Sequence, residues 1–188
     1  MDLMSLTNEQ QKLLIKIARD SIQHGLTHGV PLPINLENYP EEFQEIRATF
    51  VTLEIGRLLR GCIGMLEAVQ PLVVDVAKNA FLAAFDDPRF PPISATEYTK
   101  LEIHISVLTP SEPMKFDSED DLIRQLRPHI DGLIMQEDDR RGTFLPSVWD
   151  SLPDPRQFLE HLKLKTGLPK NYWSDTLQIY RYDCEMID

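Results

Sequence analysis

Residues 48–64 read Ala-Thr-Phe-Val-Thr-Leu-Glu-Ile-Gly-Arg-Leu-Leu-Arg-Gly-Cys-Ile-Gly, and the way this stretch turns back on itself decides the fold. In its first half, Thr49, Val51, Leu53 and Ile55 fall on one face of an extended chain, because successive side chains of a strand point to opposite sides. Gly56-Arg57 then separates Ile55 from Leu58, and a Gly-X pair at a strand junction predicts a type II′ hairpin. The returning strand, Leu58-Leu59-Arg60, runs into Gly61-Cys62-Ile63-Gly64. Two glycines so close together in a strand predict a bulge, or a backbone that another group approaches closely.

Helices surround this hairpin. Thr7 with Gln10 forms a capping-box pattern, and Leu13, Leu14, Ile17, Ala18 and Ile22 recur at helical spacing behind it, with His24-Gly25 as the predicted stop. Residues 28–40, rich in Pro, Asn and Gly, predict an irregular loop. Pro71 opens a second helix whose Val73, Val76, Ala77, Ala80, Phe81 and Ala84 share one face. The turn Asp86-Asp87-Pro88-Arg89-Phe90-Pro91-Pro92 ends it, since Pro88 pushes Asp87 out of the helical region.

A strand over 101–108 follows, with Leu101, Ile103, Ile105 and Val107 facing one way and Glu102, His104 and Ser106 the other. Asp117 or Ser118 caps a short helix with Leu122, Ile123 and Leu126. Short strands over 132–135 and 143–145 then flank the polar tip 137–141. Asp154-Pro155 opens a last helix closed by Gly167, and residues 177–183 predict a final strand. Helices interspersed with hairpins argue for an α+β fold, with a mixed or largely antiparallel sheet and packed helices, and against a regular βαβ alternation.

The 188 residues suit one domain that buries its own core. Thirty acidic against 19 basic side chains give a formal charge of −11, which repels phosphate backbones and anionic lipid. Neither nucleic acid nor a membrane surface is therefore expected as a partner. The two cysteines, Cys62 and Cys184, form no zinc or CxxC pattern. Met1-Asp2-Leu3-Met4 carries neither the basic nor the apolar region of a signal peptide, so a cytoplasmic protein with free thiols is expected. No nucleotide-binding fingerprint is present, and no cofactor is expected.

Leu59-Arg60-Gly61-Cys62-Ile63-Gly64 resembles the LRGCIG hexapeptide of the AMMECR family, also called protein A of the AmmeMemoRadiSam system. Other blocks agree in order. AFLAAFDDPRFPP over 80–92 resembles the family's AAxxDPRFPP segment, and LEIHISVL over 101–108 its LEIxVSVL strand. Gly132-Leu133-Ile134, Arg141-Gly142 and Leu145-Pro146-Ser147-Val148 are similar to GLIL…RG…LPQV, and residues 158–169 to FLEHLxxKAGLP. The resemblance runs from about residue 48 to 180 and implies a single domain over 1–188. It further implies two lobes around a cleft, with helix and loop 5–46 packed on the core and 110–150 supplying a smaller lobe. Memo-like and radical-SAM proteins are the partners it implies, and the hexapeptide is where it places function. His104 stands where the family pattern carries another polar residue, so nothing is carried over for it.

The residues themselves offer two readings. In the first, the chain is a component of an enzyme system acting on a small anionic or aromatic ligand. Arg60, Cys62, Arg89 and Ser106 line its cleft, with Gly61 and Gly64 giving access. Cys62 acts as nucleophile, acid/base or contact, activated by Arg60. In the second, the chain is a non-catalytic ligand- or protein-binding module, the two glycines serve shape, and Cys62 fills a tight site. The first accounts for so many unusual residues in one short turn and is slightly favoured. The second accounts for the missing base: His104, on a polar strand face with Ser106 and Glu102, is the best histidine available, yet it lies in no nucleophile–base motif. No metal site is expected, because His104 and Glu102 lack a visible third ligand. Arg89 with Asp87 reads equally as an anion clamp or as the pin of a rigid turn. Trp149, Tyr172 and Trp173 read as the edge of a core rather than a pocket lining.

Overall fold

The expected hairpin forms. In the computed structural model, which describes residues 5–188, β1 (Thr49–Ile55) pairs antiparallel with β2 (Leu58–Gly64). The signal-peptide reading of Met1-Asp2-Leu3-Met4 falls outside the described residues. The turn is type I′ rather than II′, because Gly56 (φ 58°) and Arg57 (φ 65°) both adopt the left-handed region. The bulge is also present: Leu53 faces Gly61 while Glu54 faces Leu59, leaving Arg60 without a partner in β1.

The chain divides into two compact units, Met1–Thr109 with Glu185–Asp188, and Pro110–Cys184. Each is built on its own four-stranded antiparallel sheet, and the α+β class follows from both. In the first unit the strand order is β2-β1-β3-β8, with β3 over Glu102–Leu108 and β8 over Cys184–Ile187. Helices α1 (Asn8–His28) and α3 (Leu72–Phe85) cover one face of it. Leu14, Ile17, Ile22, Val51, Leu53, Val73, Val76, Ala80, Ile103 and Ile105 form the core between them, as the two periodicities require. The short helices α2 (Glu41–Gln44) and α4 (Ala95–Tyr98) flank it.

Two interior features escape the periodicity. Helix α1 does not stop at Gly25 but runs on to His28 and is capped by Gly29 at φ 71°. Gly25 is instead a contact point, because a Cβ there would overlap the rings of Phe81 and Phe85 on α3. A buried carboxylate also ties α3 to β1. Asp75 accepts from the Thr49 N–H (2.9 Å), the Thr49 hydroxyl (2.6 Å) and the Asn79 amide (2.9 Å), while Gln70 donates to its other oxygen (2.7 Å). Such a network has every member satisfied, which is what makes a charge tolerable inside.

The second unit orders its strands β4-β7-β5-β6: β4 (Glu112–Pro113), β5 (Gly132–Glu137), β6 (Arg140–Phe144) and β7 (Gln178–Tyr182). Helices α5 (Glu119–Gln125), capped by Ser118, and α6 (Pro155–Lys165), capped by Asp154, belong to it. Trp149 is fully buried and stacks on Phe158 with centroids 3.7 Å apart, so the aromatic residues here make core. Gly132 and Gly142 lie within strands, where a side chain would meet the Tyr182 ring and Thr166 respectively. Among the described residues no helix is long and apolar enough to cross a membrane.

Candidate functional site

Strand β2 is an edge strand, so its outward backbone groups need partners other than a neighbouring strand. The proline-framed turn after α3 supplies them. Asp87 is buried, and its Oδ2 accepts from the Cys62 N–H at 2.9 Å. Arg89 donates to both oxygens of Asp87 (3.0 and 2.8 Å), and its Nη2 also reaches the Cys62 carbonyl at 3.4 Å. The Arg89 guanidinium, together with the Cys62 and Arg89 backbone N–H groups, holds the Asp87 carboxyl far below the usual carboxylate range. Arg89 thus pins the turn, with its guanidinium engaged by Asp87.

Arg60 has a similar fate. The bulge removes it from the alternation that it would otherwise share with Cys62. Its Nε and Nη2 grip the two carboxylate oxygens of Glu97 at 2.8 and 3.1 Å, and Nη2 also donates to the Pro91 carbonyl at 2.9 Å. This fork, with the Ser94 N–H, brings the Glu97 carboxyl down to about 2. Both guanidinium groups lie over the Phe90 ring, at 5.7 Å for Arg60 and 5.5 Å for Arg89. Glu97 has no signal in the sequence beyond its place three residues after Ser94, where it also closes a capping box.

The two motif glycines answer to space. A Cβ on Gly61 would overlap the Ala83 carbonyl of α3, and one on Gly64 would overlap the Phe50 ring and the Thr49 carbonyl. Gly61 therefore sets how closely the sheet approaches α3, and Gly64 makes room for Phe50 on the opposite face.

That opposite face, turned away from α1 and α3, carries the remaining candidates. Cross-strand register aligns Cys62 with Thr52 and Thr52 with His104, so the three form a row over β2, β1 and β3. Cys62 is half-buried, with Thr52 Oγ1 at 3.3 Å from its Sγ, the one hydrogen-bond partner of that sulfur among the described residues. His104 lies beyond Thr52 and is engaged elsewhere: its Nδ1 is 2.6 Å from Asp188 Oδ1, and its Nε2 is 3.4 Å from Glu54 Oε2. Ser106, also on this face, donates to the Met186 sulfur at 3.1 Å. The structure thus brings Cys62, His104 and Ser106 to one face and places Arg60 and Arg89 along the β2 edge. The sequence gives no hint of Glu54, which the β1–β3 register sets opposite Glu102 and beside His104.

The AMMECR1 family model matches residues 15–187. A protein of Methanothermobacter thermautotrophicus is 36% identical over 97% of this chain and 95% of its own length. Protein MJ0810 of Methanocaldococcus jannaschii is 35% identical over 97% of this chain and 92% of its own. The crystal structure of uncharacterized protein PH0010 from Pyrococcus horikoshii superposes with a TM-score of 0.85 at 32% identity, covering 96% of this chain and 92% of that one. A family match of this extent, with relatives aligned over nearly their full lengths and one sharing the fold, is decisive: the chain belongs to the AMMECR1 family.

Proposed function

We propose that the chain is a non-catalytic binding component of an enzyme system, which presents the Cys62–Thr52–His104 face of its first sheet to a partner protein. The observation that carries this reading is the setting of Cys62. Its sulfur faces a threonine hydroxyl, and the imidazole on the same face lies beyond Thr52 and is held through its Nδ1 by Asp188. A thiol nucleophile needs a base within hydrogen-bond reach, oriented by a third group, and that arrangement does not form here. The unusual residues of the motif have structural work instead: Gly61 and Gly64 set close approaches, while Arg60 and Arg89 each hold a carboxylate. This accounts for the concentration of unusual residues in one strand without invoking a reaction.

Sequence resemblance supplies the partner class, Memo-like and radical-SAM proteins. Binding of such proteins from the same organism, purified and measured by biolayer interferometry, tests the reading. Cys62→Ser is expected to bind within about threefold of the parent, whereas Thr52→Trp, which plants a bulky ring in the middle of the face, is expected to lose at least about tenfold. Failure of the unsubstituted chain to bind either protein would contradict the proposal. So would a normally folded Cys62→Ser chain that binds its partner but abolishes the activity of the assembled system.

A further inference from the structure

We infer that Glu54, Glu102 and His104 form a binding site for a divalent transition-metal cation of the zinc type. Each offers one donor atom, and these atoms lie within 4.8 Å of one another. They come from two strands in a fixed register: Glu54 of β1 is paired with Glu102 of β3, and His104 stands on the same face of β3. Two carboxylates directly opposite in an antiparallel pair repel one another, and a cation between them turns that cost into a gain.

The histidine is set for coordination by its other nitrogen. Asp188 Oδ1 lies 2.6 Å from Nδ1, a contact that fixes the proton on that nitrogen and directs the Nε2 lone pair toward the glutamates. Nε2 itself is shut off from solvent and makes no hydrogen bond. A carboxylate–histidine–metal chain of this kind is how ligating imidazoles are generally held. Among the described residues neither lysine nor arginine is paired with Glu54, Glu102 or Asp188.

The donor set points to the class of ion. One imidazole nitrogen with two carboxylate oxygens suits zinc and its first-row neighbours better than calcium or magnesium, which take oxygen alone. Tetrahedral coordination at ordinary zinc–ligand lengths needs donors about 3.3 Å apart. Rotation of the two flexible glutamate side chains brings them in. Three protein ligands leave at least one coordination position for water or for an oxygen of a bound partner. This inference concerns the glutamate and histidine end of the face and stands independently of the role given to Cys62.

The test is a calorimetric titration of Zn²⁺ into the EDTA-treated and desalted chain, carried out in a Cys62→Ser/Cys184→Ser background to remove thiolate binding. One ion per chain is expected, bound at micromolar or tighter affinity. His104→Gln and Glu102→Gln should each weaken binding by at least about tenfold, and Asp188→Asn by a similar factor through loss of orientation. Glu102 is exposed, so its variant keeps the test available should His104→Gln fold poorly. Absence of saturable one-to-one binding, or equal affinity in Glu102→Gln and the parent background, would overturn the assignment.

Discussion

Two groups of charge sit on the first sheet, and they are built on opposite lines. Along the β2 edge, Arg60 is matched by Glu97 and Arg89 by Asp87, so cation and carboxylate are equal in number and each holds the other. On the outer face, Glu54, Glu102 and Asp188 gather around a single imidazole. Balanced pairs with bidentate geometry are what a fold uses to fasten a loop. An unbalanced group of like charges costs stability unless something else binds there. Arg60 and Arg89 are therefore each fastened to a carboxylate within the fold, and the proposed cation site draws on residues outside the motif.

The comparison makes predictions of decreasing size. Gly61→Ala has to displace the α3 backbone, because its new methyl would meet a carbonyl rather than a movable side chain. A loss of about 3 kcal/mol is expected from urea unfolding, near the upper end for overpacking. Full stability in that variant would show that the edge has slack. Asp87→Ala strips the Cys62 N–H and the Arg89 guanidinium of their acceptor, for an expected loss of about 2 kcal/mol by the same method.

The third prediction is a pH effect. Arg60 and Ser94 lower the Glu97 carboxyl from its usual 4.5 to about 2 in the folded chain. A lowered folded value means that the stabilisation is complete above the unfolded value and is lost as pH falls through the interval from 4.5 to about 2. Thermal unfolding followed across that interval should fall less steeply in Arg60→Gln than in the unsubstituted chain. Equal slopes would show that the Arg60 fork is not what ties Glu97 to folding.

Much of this was legible in the sequence where the cause is local. The Thr7–Gln10 capping box, the alternation of β1 and β3, and the apolar stripe of α3 all depend on neighbours within a turn or two of chain, and each formed as its pattern requires. The glycine pair was legible as a bulge or a close approach, and both are found: the register shifts beside Gly61, and both glycines lie against neighbouring groups. Gly25 was misleading because its reason lies on another helix: the rings of Phe81 and Phe85 occupy the space of its side chain. The hairpin type depended on Arg57 accepting a left-handed conformation, against the preference of its residue class. The candidate site was only half visible. His104 and Ser106 could be placed on one polar strand face by parity, but Cys62 and Glu54 join that face only through the registers of β1 with β2 and β3. Likewise, Glu97 was hidden as the acceptor of Arg60, because a bidentate pair across a turn leaves no periodic trace.

Urea unfolding of the Glu54→Gln/Glu102→Gln double variant in metal-free buffer tests the central claim most directly, by asking whether the face cluster serves the fold or a bound partner. Relief of the repulsion between paired carboxylates should leave the midpoint unchanged or raise it slightly, by no more than about 1 kcal/mol in stability. A midpoint lowered by an amount like that expected for Asp87→Ala would contradict the account, because it would make these carboxylates part of the fastening and not of a site.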